Sequence, residues 1–368
     1  MRTAPPFRAD HVGSLLRPAE LLRARDTLQG DELREAEDAA IREVVRRQEE
    51  TGLRSATDGE FRRASWHMDF IYRLGGVGQA ADERITVRFH NAQGDLEYTP
   101  AALRVTDRIR LGETIFADDF AFLRDTVTTA VPKLTIPSPS MVHYRGGPAA
   151  IDPKVYPDAE EFWRDLSAAY AEQVRRIGAL GCTYLQFDDT SLAYLNDPAQ
   201  RAELTSRGDD AEHLHLRYIK QINAALAAKP AGMTVTTHMC RGNFRSSWAA
   251  SGGYDHVAEA LFGELKVDGF FLEFDDERSG GFEPLRYVPP GKTVVLGLVT
   301  TKRGELESKD TLKRRIDEAA KFVDLDQLCL SPQCGFSSTV EGNELTIDQQ
   351  FAKLRLIVET AEEVWGSR

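Results

Sequence analysis

The chain has 368 residues, room for one large α/β domain or two ordinary ones, and its 42% hydrophobic and 28% charged content is that of an ordinary globular protein. A formal net charge of −12 supplies no basic face for nucleic acid or an anionic membrane, and no stretch approaches the roughly 20 consecutive apolar residues of a membrane-spanning helix. Met1-Arg-Thr-Ala-Pro-Pro has no apolar h-region, so no secretion signal is expected. The four cysteines, Cys182, Cys240, Cys329 and Cys334, are then expected to stay reduced in the cytoplasm. There they serve as core residues, nucleophiles or metal ligands.

Short β-rich runs recur near 7–13, 53–58, 133–138, 183–188, 233–238, 268–274, 293–299 and 327–332. Amphipathic helices are expected over 31–51, 158–180, 210–228, 254–266, 305–322 and 344–366. In the second of these, Phe162, Leu166, Ala169, Tyr170, Val174 and Ile177 fall on one stripe. Alternating strands and helices imply a parallel sheet, because a parallel pair needs a crossover. Eight such units predict a (β/α)8 barrel of the TIM type. Residues 76–112 break the alternation: Ile85-Thr-Val-Arg-Phe-His, then Asn91-Ala-Gln-Gly-Asp, then Leu96-Glu-Tyr reads as a hairpin. The expectation is a single domain over 1–368 with a β-hairpin arm inserted after the second strand.

In such barrels the reactive groups gather at the C-terminal ends of the strands. Those ends read His11-Val-Gly-Ser14, Asp58-Gly-Glu60, Asp188-Asp189, His238-Met-Cys240, Glu273-Phe-Asp275 and Ser331-Pro-Gln-Cys334. His238 and Cys240 are two apart in extended chain and point the same way. Glu273 ends the next strand and Cys334 follows the last. Two thiolates, an imidazole and a carboxylate suit tetrahedral zinc. Taken singly, a His-x-Cys pair or a lone Cys334 means little. A carboxylate inside Phe270-Phe-Leu-Glu-Phe, however, needs a partner or a metal. Cys182 and Cys329 sit among core residues and are expected to be structural.

With these residues in place the chain resembles, over nearly its whole length, the catalytic barrel of cobalamin-independent methionine synthase, and more closely its short single-barrel relatives. The motifs are His11-Val-Gly-Ser-Leu-Leu-Arg-Pro18, Thr57-Asp-Gly-Glu-Phe-Arg62, Gln186-Phe-Asp-Asp189, Thr237-His-Met-Cys240, the Glu273 strand and Leu330-Ser-Pro-Gln-Cys-Gly-Phe336. The resemblance implies zinc on His238, Cys240, Glu273 and Cys334. It also implies that the amino-acid end of homocysteine meets Val12, Gly13, Ser14, Glu60 and Asp188. Glu60 and Asp188 would take the α-ammonium, and the Ser14 hydroxyl with backbone amides the α-carboxylate.

Three departures bear on the methyl donor. The full-length family members carry a second, N-terminal barrel, for which this chain has no room. Those members also place a pterin-stacking tryptophan after strand three, where this chain reads Ser138-Pro-Ser-Met-Val-His-Tyr144, leaving His143 or Tyr144 for that task. After strand seven their Asp-x-His-Ser motif becomes Thr300-Thr-Lys-Arg303, which puts Lys302 near the position of a proton donor. The resemblance therefore implies methyl transfer to homocysteine from methyltetrahydrofolate, a corrinoid carrier or another small methylated compound. Three rival readings are alkyl transfer to another thiol such as coenzyme M, a barrel-type zinc hydrolase, and a catalytically silent zinc protein. The Glu60–Asp188 pair speaks against the first, since a sulfonate thiol brings no ammonium. His11-Val-Gly in place of His-x-His at strand one speaks against the second.

Overall fold

The computed structural model describes residues 3–84, 86–91, 94–98 and 101–366. Among the described residues eleven strands follow in order: β1 (Ser55–Ala56), β2 (Gly75–Arg84), β3 (Val87–Asn91), β4 (Gly94–Tyr98), β5 (Ala101–Arg110), β6 (Val131–Pro137), β7 (Tyr184–Asp189), β8 (Thr234–Met239), β9 (Gly269–Glu273), β10 (Thr293–Val299) and β11 (Leu328–Pro332). Seven of them form one parallel sheet in the order β1-β6-β7-β8-β9-β10-β11. Sequential neighbours with helical crossovers produce this order, and the sheet curls into a mixed α/β, barrel-like fold.

The first expected strand, 7–13, shrinks to one parallel bridge of Ala9 with Leu330 on the free edge of β11. The Asp10 amide donates to the Leu330 carbonyl at 3.1 Å, and the Leu330 amide to the Arg8 carbonyl at 2.8 Å. Pro5 and Pro6 bring no amide hydrogen to one side, and Gly13 turns away at φ 149° on the other. The second, 53–58, keeps only Ser55–Ala56, because Gly59 and Glu60 enter the left-handed region at φ 67° and 61°.

The expected helices are found with shifted ends: Gly30–Thr51, Ala159–Ala179, Leu214–Ala225, Ala258–Glu264, Lys309–Ala319 and Ile347–Trp365. Their boundaries follow capping chemistry. The Asp158 and Ser308 side chains accept from the Glu160 and Thr311 amides. Thr346 and Gln349 close a capping box, and Gly52 ends the first helix in the left-handed region. The stripe Phe162, Leu166, Ala169, Tyr170, Val174, Ile177 is buried in full. Such helix-on-sheet burial contributes about 1.5–3 kcal/mol per large side chain.

Inside the curl, Val12, Phe271, Val295 and Cys329 form a small apolar cluster apart from the main core. Beside it lies a buried polar plug. Lys133 Nζ donates to the His11 carbonyl at 2.5 Å and lies 3.5 Å from Asp10 Oδ1. The Asp10 carboxylate also accepts from the Tyr184 hydroxyl and the Ser55 hydroxyl, each at 2.8 Å. Lys133 sits 4.1 Å over the Phe271 ring. Burial lowers its pKa against the pull of Asp10.

Between β1 and β6, β2 pairs antiparallel with β5, and β3 with β4. Of the residues expected in the arm, Ile85, Ala92, Gln93, Thr99 and Pro100 lie outside the described residues. Val87 faces Tyr98 and Phe89 faces Leu96 across the β3–β4 pair. His90 and Trp248 exchange backbone hydrogen bonds at 2.6 and 3.0 Å, so this pair is fastened to the segment after β8. No described helix is long and apolar enough to cross a membrane.

Candidate active site

Parallel register carries residues from β7, β8 and the β11 end to one place. Asp188 stands beside His238 across the β7–β8 pair, and the Cys240 amide continues the ladder by donating to the Asp189 carbonyl at 2.9 Å. His238 Nε2 lies 3.4 Å from Cys334 Sγ, and Cys240 Sγ lies 3.2 Å from Cys334 Sγ. The ligand atoms of these three residues all fall within 4.8 Å of one another, and both thiols are free. They are 2%, 7% and 3% exposed for His238, Cys240 and Cys334, so water screens their interactions little.

Glu273, the fourth expected ligand, is fully buried at the end of β9, outside that group of three. Neither carboxylate oxygen has a hydrogen-bond partner. Its nearest charges are the Arg278 and Arg241 guanidinium groups at 3.6 and 3.8 Å from Oε2. Burial raises its pKa, with Arg278 and Lys302 opposing. A hydrogen bond from Cys240 and the nearby His238 hold the Cys334 thiol well below its usual range in spite of burial. The same contact pushes Cys240 up, and Cys334 outweighs burial to raise His238. Two thiols and an imidazole in contact, with a buried carboxylate that accepts no hydrogen bond near them, make a soft donor set. It fits zinc.

Seven of the expected residues line one cleft: Val12, Ser14, Glu60, Asp188, His238, Cys240 and Cys334. Glu60 holds a positive φ without being glycine, a strain of about 1–3 kcal/mol that the surroundings must support. They do so directly. The Glu60 amide donates to Asp58 Oδ1 at 2.8 Å, its carbonyl accepts from Arg17, and Oε1 accepts from the Thr135 hydroxyl at 2.7 Å. Gly13 lies alongside, where a Cβ would come within 2.7 Å of Thr135 and 3.3 Å of Glu60 Oε1. Burial, then the neighbouring Glu60, lift Asp188 to about 7. Burial likewise raises Glu60 against Arg63. Ser14 Oγ accepts from the Ser337 amide at 3.3 Å.

Lys302 is nearly buried, its Nζ 2.8 Å from Asp275 Oδ2. Asp275 outweighs the burial that would lower its pKa, which is raised. His143 and Tyr144, expected as stand-ins for the stacking tryptophan, do not line this cleft. His143 packs 4.7 Å from the Trp163 ring with Nδ1 3.0 Å from the Tyr218 hydroxyl, and the Tyr144 hydroxyl bonds Gln200. The helix Ser140–Gly146 turns both rings away from the sulfur group.

The aromatic lining comes instead from residues that strand-end reasoning passed over: Trp66, His67, Phe89, Tyr98 and Phe244. Phe89 and Tyr98 lie 5.3 and 5.0 Å from Phe244, and Trp66 stacks on His67 at 4.4 Å. Period-two alternation, which puts Val87 with Phe89 and Leu96 with Tyr98, was the available signal for part of this wall.

The model of the cobalamin-independent synthase catalytic domain matches residues 12–363. An uncharacterized Bacillus subtilis protein, YxjG, is 47% identical over 371 residues, covering 99% of this chain and 96% of its own. A solved Listeria monocytogenes protein, provisionally described as a vitamin-B12 independent methionine synthase, superposes with a TM-score of 0.78 at 38% identity over all of both chains. The B12-independent methionine synthase of Shewanella sp. W3-18-1, solved with selenomethionine, shares the fold with a TM-score of 0.75 at 21% identity, covering 97% of this chain and 98% of its own.

Proposed function

The chain belongs to the cobalamin-independent synthase catalytic-domain family, and from that premise we propose that it is a zinc-dependent S-methyltransferase acting on homocysteine to give methionine. The observation that carries this reading is the convergence of His238, Cys240 and Cys334 in the same cleft as the buried carboxylates Glu60 and Asp188. His238, Cys240, Cys334 and Glu273 would hold the metal. When bound there, zinc would lower the pKa of a substrate thiol and leave the sulfur nucleophilic.

The protein's own groups do the positioning. Glu60 and Asp188 are buried with raised pKa values. An α-ammonium brought between them would stabilise both as carboxylates. The Ser14 hydroxyl, which accepts from the Ser337 amide, keeps its own proton to donate to the α-carboxylate. The thiol gives up its proton to solvent, the sulfur forms a bond to the methyl carbon, and the methyl–carrier bond breaks with its electron pair going to the carrier, which takes up a proton in turn. Holding both reactants in line accounts for most of the acceleration. Lys302 is engaged with Asp275, so we read it as a fixed positive charge beside Glu273; proton donation would require that pair to open.

The finer architecture belongs to the same reading. The Ala9 bridge is the eighth stave of a closed (β/α)8 barrel, β2 to β5 form an arm inserted after the second stave, and residues 1–368 make one domain. Two free thiols at 3.2 Å suit a reducing, cytoplasmic setting. The test is a methionine assay on the purified zinc protein with homocysteine and a panel of methyl donors. It is paired with metal-edge X-ray absorption with and without homocysteine. A zinc shell that gains no sulfur on adding the thiol would refute the acceptor assignment.

A further inference from the structure

The two carboxylates of the cleft are served from the barrel interior by side chains that face each other across β6 and β7. Thr135 and Gln186 are register partners in that pair. Period two puts Thr135 on the same strand face as Lys133 of the plug, two residues nearer the C-terminal end. Gln186 Nε2 donates to Asp188 Oδ1 at 2.7 Å and to the Val12 carbonyl at 2.6 Å. The Thr135 hydroxyl donates to Glu60 Oε1 at 2.7 Å. Each carboxylate thus takes one neutral side-chain donor from within the barrel.

The direction of the Thr135 bond is fixed by what stands behind it. Arg63 Nη1 lies 3.1 Å from Thr135 Oγ1, and a guanidinium can only donate. The hydroxyl accepts there, so its single proton goes to Glu60. Arg63 Nη1 itself stays 3.6 Å from Glu60 Oε1, beyond hydrogen-bond reach, which leaves the threonine as the contact. Arg63, Thr135 and Glu60 are 3%, 2% and 2% exposed, so bulk water does not replace a donor lost here. Burial works against the Glu60 carboxylate, and Arg63 and the Thr135 hydroxyl work for it. With Oε1 engaged, Oε2 makes no hydrogen bond among the described residues, although Glu60 lines the cleft. Thr135 does not line it.

We propose that Thr135 is a positioning residue for amine recognition: it relays Arg63 to Glu60, pins Oε1, and leaves Oε2 for the α-ammonium of the thiol substrate. Selectivity for an amino-acid thiol over the same thiol without its amine then passes through one buried hydroxyl. The proposal rests on the homocysteine reading and deepens it. The left-handed backbone at Glu60 needs such a tether, because its side chain leaves the chain at φ 61° with no strand ladder to aim it.

The test is calorimetric titration of the full-length zinc protein with homocysteine and with 4-mercaptobutyrate, the same thiol acid without its amine. The wild type should bind homocysteine the more tightly. Thr135→Val keeps the shape and removes the hydroxyl. It should weaken homocysteine about tenfold or more, the effect of losing one hydrogen bond to a charged group, and leave 4-mercaptobutyrate affinity and zinc content unchanged. Thr135→Ser keeps the hydroxyl and should hold homocysteine close to wild type. Should Thr135→Val unfold the chain, Thr135→Ala removes the same hydroxyl without pressing a methyl on the carboxylate, and the same selective loss is expected. Equal losses for both thiols, an unweakened Thr135→Val, or a Thr135→Ser as weak as Thr135→Val would overturn the proposal. A wild type that binds the two thiols alike, or neither, would instead refute homocysteine as the acceptor.

Discussion

Replacing Asp188 with Asn should make the metal-free protein more stable at neutral and alkaline pH. Asp188 titrates at about 7 in the folded chain against 3.8 for an unperturbed group, chiefly because it is buried and then because Glu60 is near. A folded-state pKa raised above the unfolded one favours the fold fully below the unfolded value. That contribution is lost as pH rises through the folded value, so the window here runs from about 4 to about 7. At about 1.4 kcal/mol per pH unit the span is worth up to about 4 kcal/mol, and relaxation around the carboxylate should leave about half of it visible. Asn keeps the shape and can still accept from Gln186 Nε2, which donates to Asp188 Oδ1 at 2.7 Å. Denaturant melts of chelated wild type and D188N, run from pH 3.5 to 8.5, should coincide at the acid end. They should separate in favour of D188N by about 2 kcal/mol at the other. Parallel pH profiles, or a D188N protein weaker than wild type at pH 8, would refute the idea that this carboxylate is held against its solvation for an incoming ammonium.

Gly335→Ala should raise the KM for homocysteine without altering zinc content, because the new Cβ would sit 2.0 Å from Ser14 Oγ. Ser14→Ala alone should raise the KM in the same way and the double variant should raise it no further, whereas an additive loss would mean that the clash lies elsewhere. Removal of zinc followed by mild oxidant should lower the thiol count of the unfolded protein from four to two, since Cys240 and Cys334 are 3.2 Å apart and Cys182 and Cys329 are buried separately. Mass spectrometry locating the bond anywhere but Cys240–Cys334 contradicts the pairing. Lys302→Met should destabilise the chain by about 3 kcal/mol, measured by denaturant melts, as it strips one cation from the buried Asp275. A change in the pH–rate profile with unaltered stability would instead restore Lys302 as a proton donor.

The polar strand ends were readable in the chain because a barrel delivers them to one rim whatever the loops do. That geometry makes His238, Cys240 and Cys334 neighbours although 94 residues separate the two cysteines. What the one-dimensional pattern lacked was the path of the connections. A strand over 7–13 looked sound from its apolar residues, yet the prolines before it and the Gly13 turn leave it one bridge. His143 and Tyr144 follow the right strand, but a short helix points them at Trp163 and Gln200 instead of the sulfurs. Phe89 and Tyr98 reach the cleft through the backbone pairing of His90 with Trp248. Nothing in local periodicity encodes that contact, because it joins segments more than 150 residues apart. The left-handed Glu60 is a further case: its side chain was legible as a carboxylate, its strain was not.

The Asp10–Lys133–Tyr184 plug has a kinetic consequence. With the interior filled at the N-terminal ends of β6 and β7, traffic to the sulfur group runs through the opposite rim, where the β3–β4 pair and its aromatic rings stand. On the proposed reading homocysteine and the methyl donor therefore come and go by one doorway. A charge pair that touches neither substrate thereby confines both to the same rim, and product-inhibition patterns would display their interference there.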